Sequence, residues 1–451
     1  ATTVADAYLT PRLAAYLRSL ATGTARRGLP VPLVMQSSGG VVELEVAAAH
    51  AAGAVLSGPA GGVVGAAYVA GLSGEPDVLT FDMGGTSTDV AGVRGGRVPT
   101  TTEAVVAGVP IKLPAVDVHS VSAGGGSVAW VDEGGALRVG PRSAGADPGP
   151  VSYRRGGTEP TVTDADLVLG HLADGATLGG EVRLSRAAAV EALGALGARL
   201  GLSAARAAAG VVAVADAEMV RALRVVSVER GLDPRELALV AFGGAGGTHA
   251  CALAEELGIR RVLVPLACGV LSALGLALGD VRRDYARPLF GPVGEVGTDR
   301  PFAELSERAR RDLPGAELAR FADCRYAGQS YELTVPADDP AARFGAEHER
   351  RYGWRADDRP VEVVALRVVA TVPGRPPELS APPADPAARR GRRRALVGDA
   401  WAEVEVVPRA ALGPGDAVRG PAVVDFAEAT CVLRPGWTGT VDGAGTLVLE
   451  R

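Results

Sequence analysis

Residues 81–90 of the chain read FDMGGTSTDV. An acidic residue, Asp82, ends one apolar segment of this region, two glycines follow, and a second acidic residue, Asp89, opens the next apolar segment. Apolar residues on both sides predict two short strands, and the adjacent glycines between them predict a tight turn. We therefore expect a β-hairpin with a polar, glycine-rich tip.

The tip of this predicted hairpin has the residue types that bind phosphate and magnesium. Glycine lets backbone N–H groups approach phosphate oxygens and hydroxyls add donors, so the expected phosphate-binding residues are Gly84, Gly85, Thr86 and Thr88. Asp82 and Asp89 can hold Mg²⁺ through water or polarise an attacking water, so we expect both to be catalytic and Asp82 to be the metal ligand. The structural alternative is an ordinary hairpin whose glycines make the turn and whose aspartates end the strands.

A second glycine-rich segment, VAFGGAGG, spans residues 240–247. It predicts a strand that runs into a turn, with a helix beginning at Thr248. Such a turn lets adenosine lie against the backbone, and the residues expected to contact the nucleotide are Gly243, Gly244, Gly246 and Gly247. The segment lacks the GxGxxG pattern followed by an acidic residue, which disfavours a Rossmann dinucleotide fold.

Composition excludes several classes of protein. The chain has 451 residues, of which 47% are hydrophobic, and a formal net charge of -6. Acidic and basic residues are interspersed, so no broad basic face is expected for nucleic acid or an anionic membrane surface. The four cysteines lack the spacing of a zinc site or a disulfide scaffold, and no apolar run is long enough to cross a membrane. These features predict a globular cytoplasmic protein.

The order of the predicted elements indicates an α/β protein. Strands around the hairpin are followed by helical patterning over Arg186–Arg230, and strands and helices then alternate. Arginine, proline and β-branched strands dominate later in the chain, including a predicted strand over Ala422–Leu433 and a predicted linker or surface loop over Pro373–Arg394. We place domain boundaries near residues 75 and 290.

Six motifs follow one another between residues 56 and 250. They are LSGPAGGVVGAA from Leu56, FDMGGTSTDV from Phe81, SAGGGSVAWVD from Ser122, AGADPGP from Ala144, GTEPTVTDA from Gly157 and FGGAGGTHA from Phe242. This series resembles the hydantoinase A and 5-oxoprolinase family, within the superfamily of actin, hexokinase and heat-shock-protein ATPases. The resemblance implies a ribonuclease-H-like α/β fold: residues 1–75 end a first lobe, residues 76–290 form a second, ATPase lobe, and residues 291–451 form a β-rich carboxy-terminal domain.

The resemblance also implies an activity. ATP and Mg²⁺ would serve to phosphorylate the amide oxygen of a small cyclic amide, such as 5-oxoproline or a hydantoin, before hydrolytic ring opening. The implied partner is the family's B-type subunit, in a hetero-oligomer. Two alternatives stay open: a subunit of an ATP-dependent ketone carboxylase of the acetone or acetophenone type, which has the same motifs, and a non-catalytic ATP-responsive assembly module.

The chain departs from the family pattern at its start. Family members begin with another Asp-x-Gly-Gly-Thr hairpin, and none precedes Asp82 here. We therefore expect the amino-terminal lobe to be missing from this chain. With half of the phosphate clamp absent, we expect the chain alone to bind ATP weakly and to be inactive.

Histidines and cysteines offer weaker signals. His119, near Asp117, can orient a substrate or a metal, or can be structural at a strand end. His249 is expected in the first turn of a helix, and Cys251 and Cys268 are expected to pack as small apolar side chains. None of these residues has the spacing of a metal site.

An acidic cluster begins within the GTEPTVTDA motif. Glu159, Asp164 and Asp166 can form a metal or water-activating site. They can instead mark the start of a helix that is capped by Thr163 or Asp164, which is the commoner role of such residues. The sequence alone leaves both interpretations open.

Overall fold

The computed structural model of the chain describes residues 1–102, 104–398 and 400–451. Its α-helices are α1 (Thr2–Arg26), α2 (Leu44–Ala49), α3 (Ser57–Leu72), α4 (Val162–Leu169), α5 (Arg186–Leu200), α6 (Ala204–Val226), α7 (Gly246–Leu257), α8 (Leu271–Leu278), α9 (Asp299–Asp312) and α10 (Pro340–Tyr352). Across these described ranges, no helix is both long and apolar enough to cross a membrane.

The strands are mostly short. In chain order they are β1 (Leu33–Met35), β2 (Val41–Glu43), β3 (Val78–Met83), β4 (Thr88–Val93), β5 (Thr100–Thr101), β6 (Ala104–Val106), β7 (Val109–Ile111), β8 (Ala115–Val116), β9 (His119–Val121), β10 (Ser127–Val131), β11 (Leu137–Ser143), β12 (Thr177–Leu178), β13 (Val182–Arg183), β14 (Ala238–Phe242), β15 (Arg261–Val264), β16 (Val281–Pro292), β17 (Glu317–Tyr326), β18 (Leu333–Pro336), β19 (Val361–Val372), β20 (Gly391–Val397), β21 (Ala400–Pro408), β22 (Ala417–Arg419), β23 (Ala422–Asp425), β24 (Thr430–Leu433), β25 (Thr438–Val441) and β26 (Leu447–Glu450).

The chain forms two compact units that interleave along the sequence. The hairpin unit contains Gly58–Ala104, Lys112–Ala277 and Pro377–Arg451, and the six-stranded unit contains Ala1–Ser57, Val105–Ile111 and Leu278–Pro376. The last part of the chain belongs to the hairpin unit because β26 pairs antiparallel with β15, which sets Glu450 opposite Arg261. The predicted boundaries near residues 75 and 290 divide the sequence into three consecutive segments, and they stay a prediction.

The hairpin unit is built on an eight-stranded mixed sheet with the order β22-β25-β26-β15-β14-β3-β4-β9. β3 runs parallel to β14 on one side and antiparallel to β4 on the other. Side chains of β3 and β14, such as Leu79, Phe81 and Leu239, are fully buried. Burial on both faces is typical of strands paired in parallel and supplies the main stabilising free energy of the core.

Further elements of the hairpin unit cover this sheet. α6 packs against α4, α5 and α7. A four-stranded sheet with the order β20-β21-β23-β24 lies nearby, with β24 packed against α7. Helices together with parallel and antiparallel strands, and a carboxy-terminal part rich in strands, match the α/β class that the sequence predicts.

The six-stranded unit has its own core. Its sheet has the order β1-β2-β16-β19-β17-β18, and α9 and α10 pack on it. The apolar residues buried there include Phe302, Tyr326, Phe344 and Leu366. These contacts give the unit a hydrophobic cluster separate from that of the hairpin unit.

The helical pattern predicted over Arg186–Arg230 is interrupted in the structure. α5 is closed by Gly201, whose φ of 67° lies in the left-handed region that favours glycine. α6 then begins after Ser203, whose hydroxyl accepts the N–H of Arg206. Apolar periodicity continues through this break, so the pattern alone does not reveal it.

Two predictions for the later part of the chain also need correction. The strand predicted over Ala422–Leu433 is two strands, joined by a turn in which Phe426 N–H donates to the Ala429 carbonyl. The linker predicted over Pro373–Arg394 ends early, because Gly391–Arg394 belong to β20. These residues form a strand because they pair with β21, and the proline- and arginine-rich composition of the segment gives no sign of that pairing.

Candidate functional site

The predicted hairpin is present, with Asp82 and Asp89 directly opposite each other on β3 and β4. Gly84 N–H donates to the Ser87 carbonyl at 3.1 Å and closes the turn. Within the described ranges, the N–H groups of the next three residues, from Gly85 to Ser87, have no hydrogen-bond acceptor. A Cβ placed on Gly85 would meet no atom within 4 Å. The outer side of the tip is therefore open and presents backbone donors, which suits an anion.

A run of glycines, Gly124–Gly126, supports the tip from the other side. The N–H groups of Gly125 and Gly126 donate to the carbonyls of Gly84 and Gly85, at 3.0 and 2.5 Å. A Cβ on Gly124 would lie 2.7 Å from the carbonyl carbon of Thr86, closer than a real Cβ can approach. Only glycine allows this backbone contact.

The two predicted threonine donors have different surroundings. Thr88 is fully buried, and its hydroxyl donates to the Ala123 carbonyl at 2.5 Å. Because the Thr88 hydroxyl proton is used in this bond, Thr88 holds the tip in place and does not donate to a ligand. Thr86 is exposed and is the hydroxyl that remains available to a ligand.

The paired carboxylates have unusual protonation equilibria. Burial, together with the nearby Asp89 carboxylate, raises the pKa of Asp82 to about 7. Burial also raises the pKa of Asp89, but a hydrogen bond from the Ser120 hydroxyl opposes that rise. Ser120 lies opposite Asp89 across β4 and β9. Ser120 is not among the predicted site residues; its one signal in the sequence is its place four residues before Gly124, where the glycine run begins.

The predicted glycine turn adjoins the hairpin. Phe242 pairs with Asp82 across β14 and β3, and Ala245 N–H donates to the Met83 carbonyl at 3.1 Å. Gly243 has a φ of 79°, and a Cβ there would lie 2.5 Å from Asp82 Oδ1. The structure thus brings together the two glycine motifs that the sequence singled out.

The remaining glycines of this turn open helix α7. The helix begins at Gly246, before the predicted start at Thr248. A Cβ on Gly247 would lie 2.8 Å from the Thr430 carbonyl oxygen, so close packing against β24 requires glycine there. Around Gly244 and Gly246 the nearest atoms to a Cβ are 3.7 and 3.4 Å away, an ordinary separation.

The acidic cluster is separated into structural roles. Thr161 caps α4, and Asp164 completes a capping box. The prediction that Thr163 or Asp164 is the cap was therefore wrong. Glu159 forms an ion pair with Arg142 instead, at 2.8 Å. Among the described residues, no group of three or more His, Cys, Asp or Glu side chains could hold a metal ion.

The other singled-out side chains are also placed. His119 lies in β9 opposite Val90, while Asp117 pairs with Arg230 at 2.6 Å. Cys251 and Cys268 are buried, as expected, and burial raises the pKa of each thiol to about 12. A thiol with so high a pKa is a poor nucleophile.

Two carboxylates beside open backbone donors fit a nucleotide phosphate with a hydrated divalent cation. Mg²⁺ usually keeps several waters and takes one or two carboxylates together with phosphate oxygens. Asp82 and Asp89 supply the carboxylates, and the tip supplies the donors. The residues present are therefore compatible with Mg²⁺ and ATP.

Two family models match the chain. One, described as hydantoinase/oxoprolinase, matches residues 1–285, and one described as the hydantoinase/oxoprolinase C-terminal domain matches residues 352–450. Caprolactamase subunit alpha of Pseudomonas jessenii is 36% identical over 99% of this chain and 69% of its own length. The 5-oxoprolinase 1 of Arabidopsis thaliana is 34% identical over 100% of this chain and 38% of its own length.

Solved structures give the same relationship. ATP-dependent caprolactamase from Pseudomonas jessenii matches with a TM-score of 0.84 at 37% identity, covering 100% of this chain and 70% of that chain. Nucleotide-free acetone carboxylase, from a study of ATP-dependent acetone carboxylation, matches with a TM-score of 0.80 at 27% identity, covering 96% and 66%. These neighbours confirm the predicted actin- and hexokinase-like α/β fold. The chain spans between 38% and 70% of the length of the proteins compared.

Proposed function

The chain belongs to the hydantoinase/oxoprolinase family, and on that premise we propose that it is the ATP-using part of an enzyme that opens a small cyclic amide. One observation carries the proposal: at the hairpin tip, three N–H groups with no acceptor among the described residues lie beside two carboxylates and against a second glycine turn. Caprolactamase and 5-oxoprolinase, both named for cyclic amides, are among its relatives.

Each part of the site has a role in this proposal. The backbone N–H groups of Gly85–Ser87 and the Thr86 hydroxyl hold phosphates, while the Gly84 N–H closes the turn, and the turn Gly243–Gly247 receives adenosine. Asp82 and Asp89 hold Mg²⁺ through water, and Asp82, with a pKa of about 7, can also accept a proton near neutral pH. The Ser120 hydroxyl keeps the Asp89 carboxylate oriented.

ATP, when bound, supplies the phosphoryl group that turns an amide oxygen into a leaving group. An amide is otherwise a poor electrophile, which explains why ring opening would need a nucleotide. We further propose that water attacks the ring on a partner, the B-type subunit. The relatives named as subunit alpha and subunit gamma support a multi-subunit enzyme.

A second candidate is ATP-dependent carboxylation of a ketone. The structural match to acetone carboxylase and the 33% identity to the gamma subunit of acetophenone carboxylase from Aromatoleum aromaticum favour it specifically. The same phosphate-binding tip would serve that reaction, because a ketone oxygen is also a target for phosphorylation. The third possibility, a non-catalytic ATP-responsive module, predicts binding without turnover.

The test is a paired measurement of ADP and organic product for this chain with its amino-terminal lobe restored, alone and mixed with its B-type subunit. We expect ADP release with 5-oxoproline, a hydantoin or caprolactam, with one ring opened per ADP, only in the mixture. ADP release that requires bicarbonate and a ketone would move the assignment to carboxylation. ATP binding with no turnover under any condition would leave the assembly module, and absence of ATP binding would refute the proposal.

A further inference from the structure

A buried histidine lies behind the glycine turn. His249, in the first turn of α7, has a side chain only 1% exposed. Its Nδ1 lies 2.7 Å from Asp216 Oδ1 on α6, and its Nε2 lies 3.5 Å from Asp166 Oδ2 on α4. The second contact is too long for a good hydrogen bond, so it acts as an ion pair. His249 thus bridges two helices other than its own.

The ion pair is held in charged form. Burial alone would lower the pKa of His249, but Asp166 and Asp216 raise it to about 10. Burial alone would raise the pKa of Asp166, but His249 and His171 lower it to about 2. An imidazolium and a carboxylate therefore face each other at neutral pH.

The other oxygen of Asp166 is also fixed. His171 Nδ1 lies 2.9 Å from Asp166 Oδ1, and His171 Nε2 lies 2.7 Å from the Leu396 carbonyl of β20. Asp166 thus has a partner on each oxygen and little freedom to rotate. The carboxylate presented to His249 has a defined position.

The two ends of this bridge lead to the two halves of the candidate site. On α4, the N–H and hydroxyl of Thr163 donate to the Gly125 carbonyl at 2.7 and 2.9 Å, and Gly125 supports Gly84 at the hairpin tip. On the α7 side, Ala245 N–H donates to the Met83 carbonyl. The bridge therefore closes a ring that runs from the hairpin tip through the glycine run, α4, His249 and α7 back to the hairpin.

We propose that His249 is a positioning residue for the nucleotide site, whose bridge to Asp166 fixes the hairpin tip and the glycine turn of α7 relative to each other. The proposal rests on the proposed function, because it takes these two segments as the ATP site. The links at Gly125 and Ala245 use backbone N–H groups, and Thr163 adds its hydroxyl to its own N–H. The bridge to Asp166 joins charged side chains of two helices, and removing either charge takes one charged partner from the buried group that remains.

The test compares His249→Gln and His249→Asn with the unchanged chain. His249→Asn can keep a hydrogen bond to Asp216 from the position of Nδ1, whereas His249→Gln places an amide near Asp166. The matched control is His348→Gln, which removes a fully buried histidine from the six-stranded unit. The measurements are amide hydrogen exchange without nucleotide over residues 84–88 and 243–248, ATP affinity by calorimetry, and thermal unfolding.

We expect both His249 variants to exchange faster in these two segments and to bind ATP about 10- to 100-fold more weakly, as a displaced contact would. His348→Gln should lower the unfolding temperature without either change. Exchange over the two segments that stays at the level of the unchanged chain would overturn the proposal, as would equal ATP affinity in a folded His249 variant.

Two further outcomes are distinguishable. If the unchanged chain binds no ATP, the proposed function fails, while hydrogen exchange still decides whether the bridge orders the two segments. If the His249 variants do not fold, Asp216→Asn takes their place, because it removes one of the two carboxylates that keep His249 charged opposite Asp166, and its side chain is 20% exposed. Unchanged exchange in that variant would equally refute the positioning role.

Discussion

At the scale of a single residue, Asp82 shows a conflict between stability and function. Its pKa in the folded protein, about 7, lies above the ordinary value of 3.8. Ionisation therefore costs the folded state free energy that increases as the pH rises from about 4 to about 7. We expect Asp82→Asn to raise the unfolding temperature at pH 8 and to leave it nearly unchanged at pH 4. Equal unfolding temperatures at pH 8 would mean that the carboxylate is well solvated.

The same substitution should have the opposite effect on activity. In the proposed function Asp82 holds Mg²⁺, so we expect ATP turnover by Asp82→Asn, in the chain with its amino-terminal lobe restored and mixed with the B-type subunit, to fall by about 10²-fold or more. Asp77→Asn is the control, because Asp77 lies at the other end of the hairpin, where it accepts the Gly95 N–H. Full turnover in a folded Asp82→Asn protein would mean that the hairpin is only a structural turn.

At the scale of elements, the glycine run and the hairpin tip depend on each other. Gly124→Ala would place a Cβ 2.7 Å from Thr86 and push the tip away from its support. We expect a loss of about 1–3 kcal/mol in the free energy of unfolding, together with weaker ATP binding. Gly134→Ala is the matched control, because its nearest atom, at 3.4 Å, is at an ordinary contact distance. Urea unfolding and calorimetry measure the two effects; equal results for the two variants would contradict the support role.

At this scale, the sequence predicts the elements that depend on neighbouring residues. The hairpin and the glycine turn follow from runs of apolar residues and adjacent glycines, so both were predicted within a few residues. The cap at Thr161 was missed because Thr161, Thr163 and Asp164 all have side chains suited to capping, and backbone geometry decides among them. The partners of His249 could not be predicted, since Asp166 and Asp216 are distant in sequence and meet it only through helix packing.

At the scale of the whole molecule, the buried ion pair limits the pH range of the fold. His249 has a raised pKa, so its stabilisation is complete below about 6.5 and is lost as the pH rises through about 10. Asp166 has a lowered pKa, so its contribution is present above about 3.8 and is lost as the pH falls through about 2. We expect the free energy of unfolding to fall less between pH 8 and pH 10 in His249→Gln than in the unchanged chain. Parallel curves for the two proteins would contradict this assignment.

The cysteines report on global unfolding. All four are buried and free, and Cys251, Cys268 and Cys431 have pKa values raised by burial. We expect a thiol reagent at pH 8 to modify none of them in the folded protein and all four in denaturant, because only a thiolate in contact with solvent reacts. Rapid modification of any of the four in the native protein would show local opening around that residue.

Pairing of β26 with β15 has a consequence for the synthesis of the chain. Arg261 and Glu450, which lie opposite each other in these strands, are separated by 189 residues. At about 5–20 residues per second, a ribosome would need roughly 10–40 s to make the partner of β15 after β15 itself has emerged. During that interval the apolar strand Val262–Val264 has one edge without its neighbour, a state prone to pairing with other nascent chains. Slow translation of the last 190 or so residues would therefore favour aggregation, and a chaperone that covers strand edges would protect this molecule most before its last strand is made.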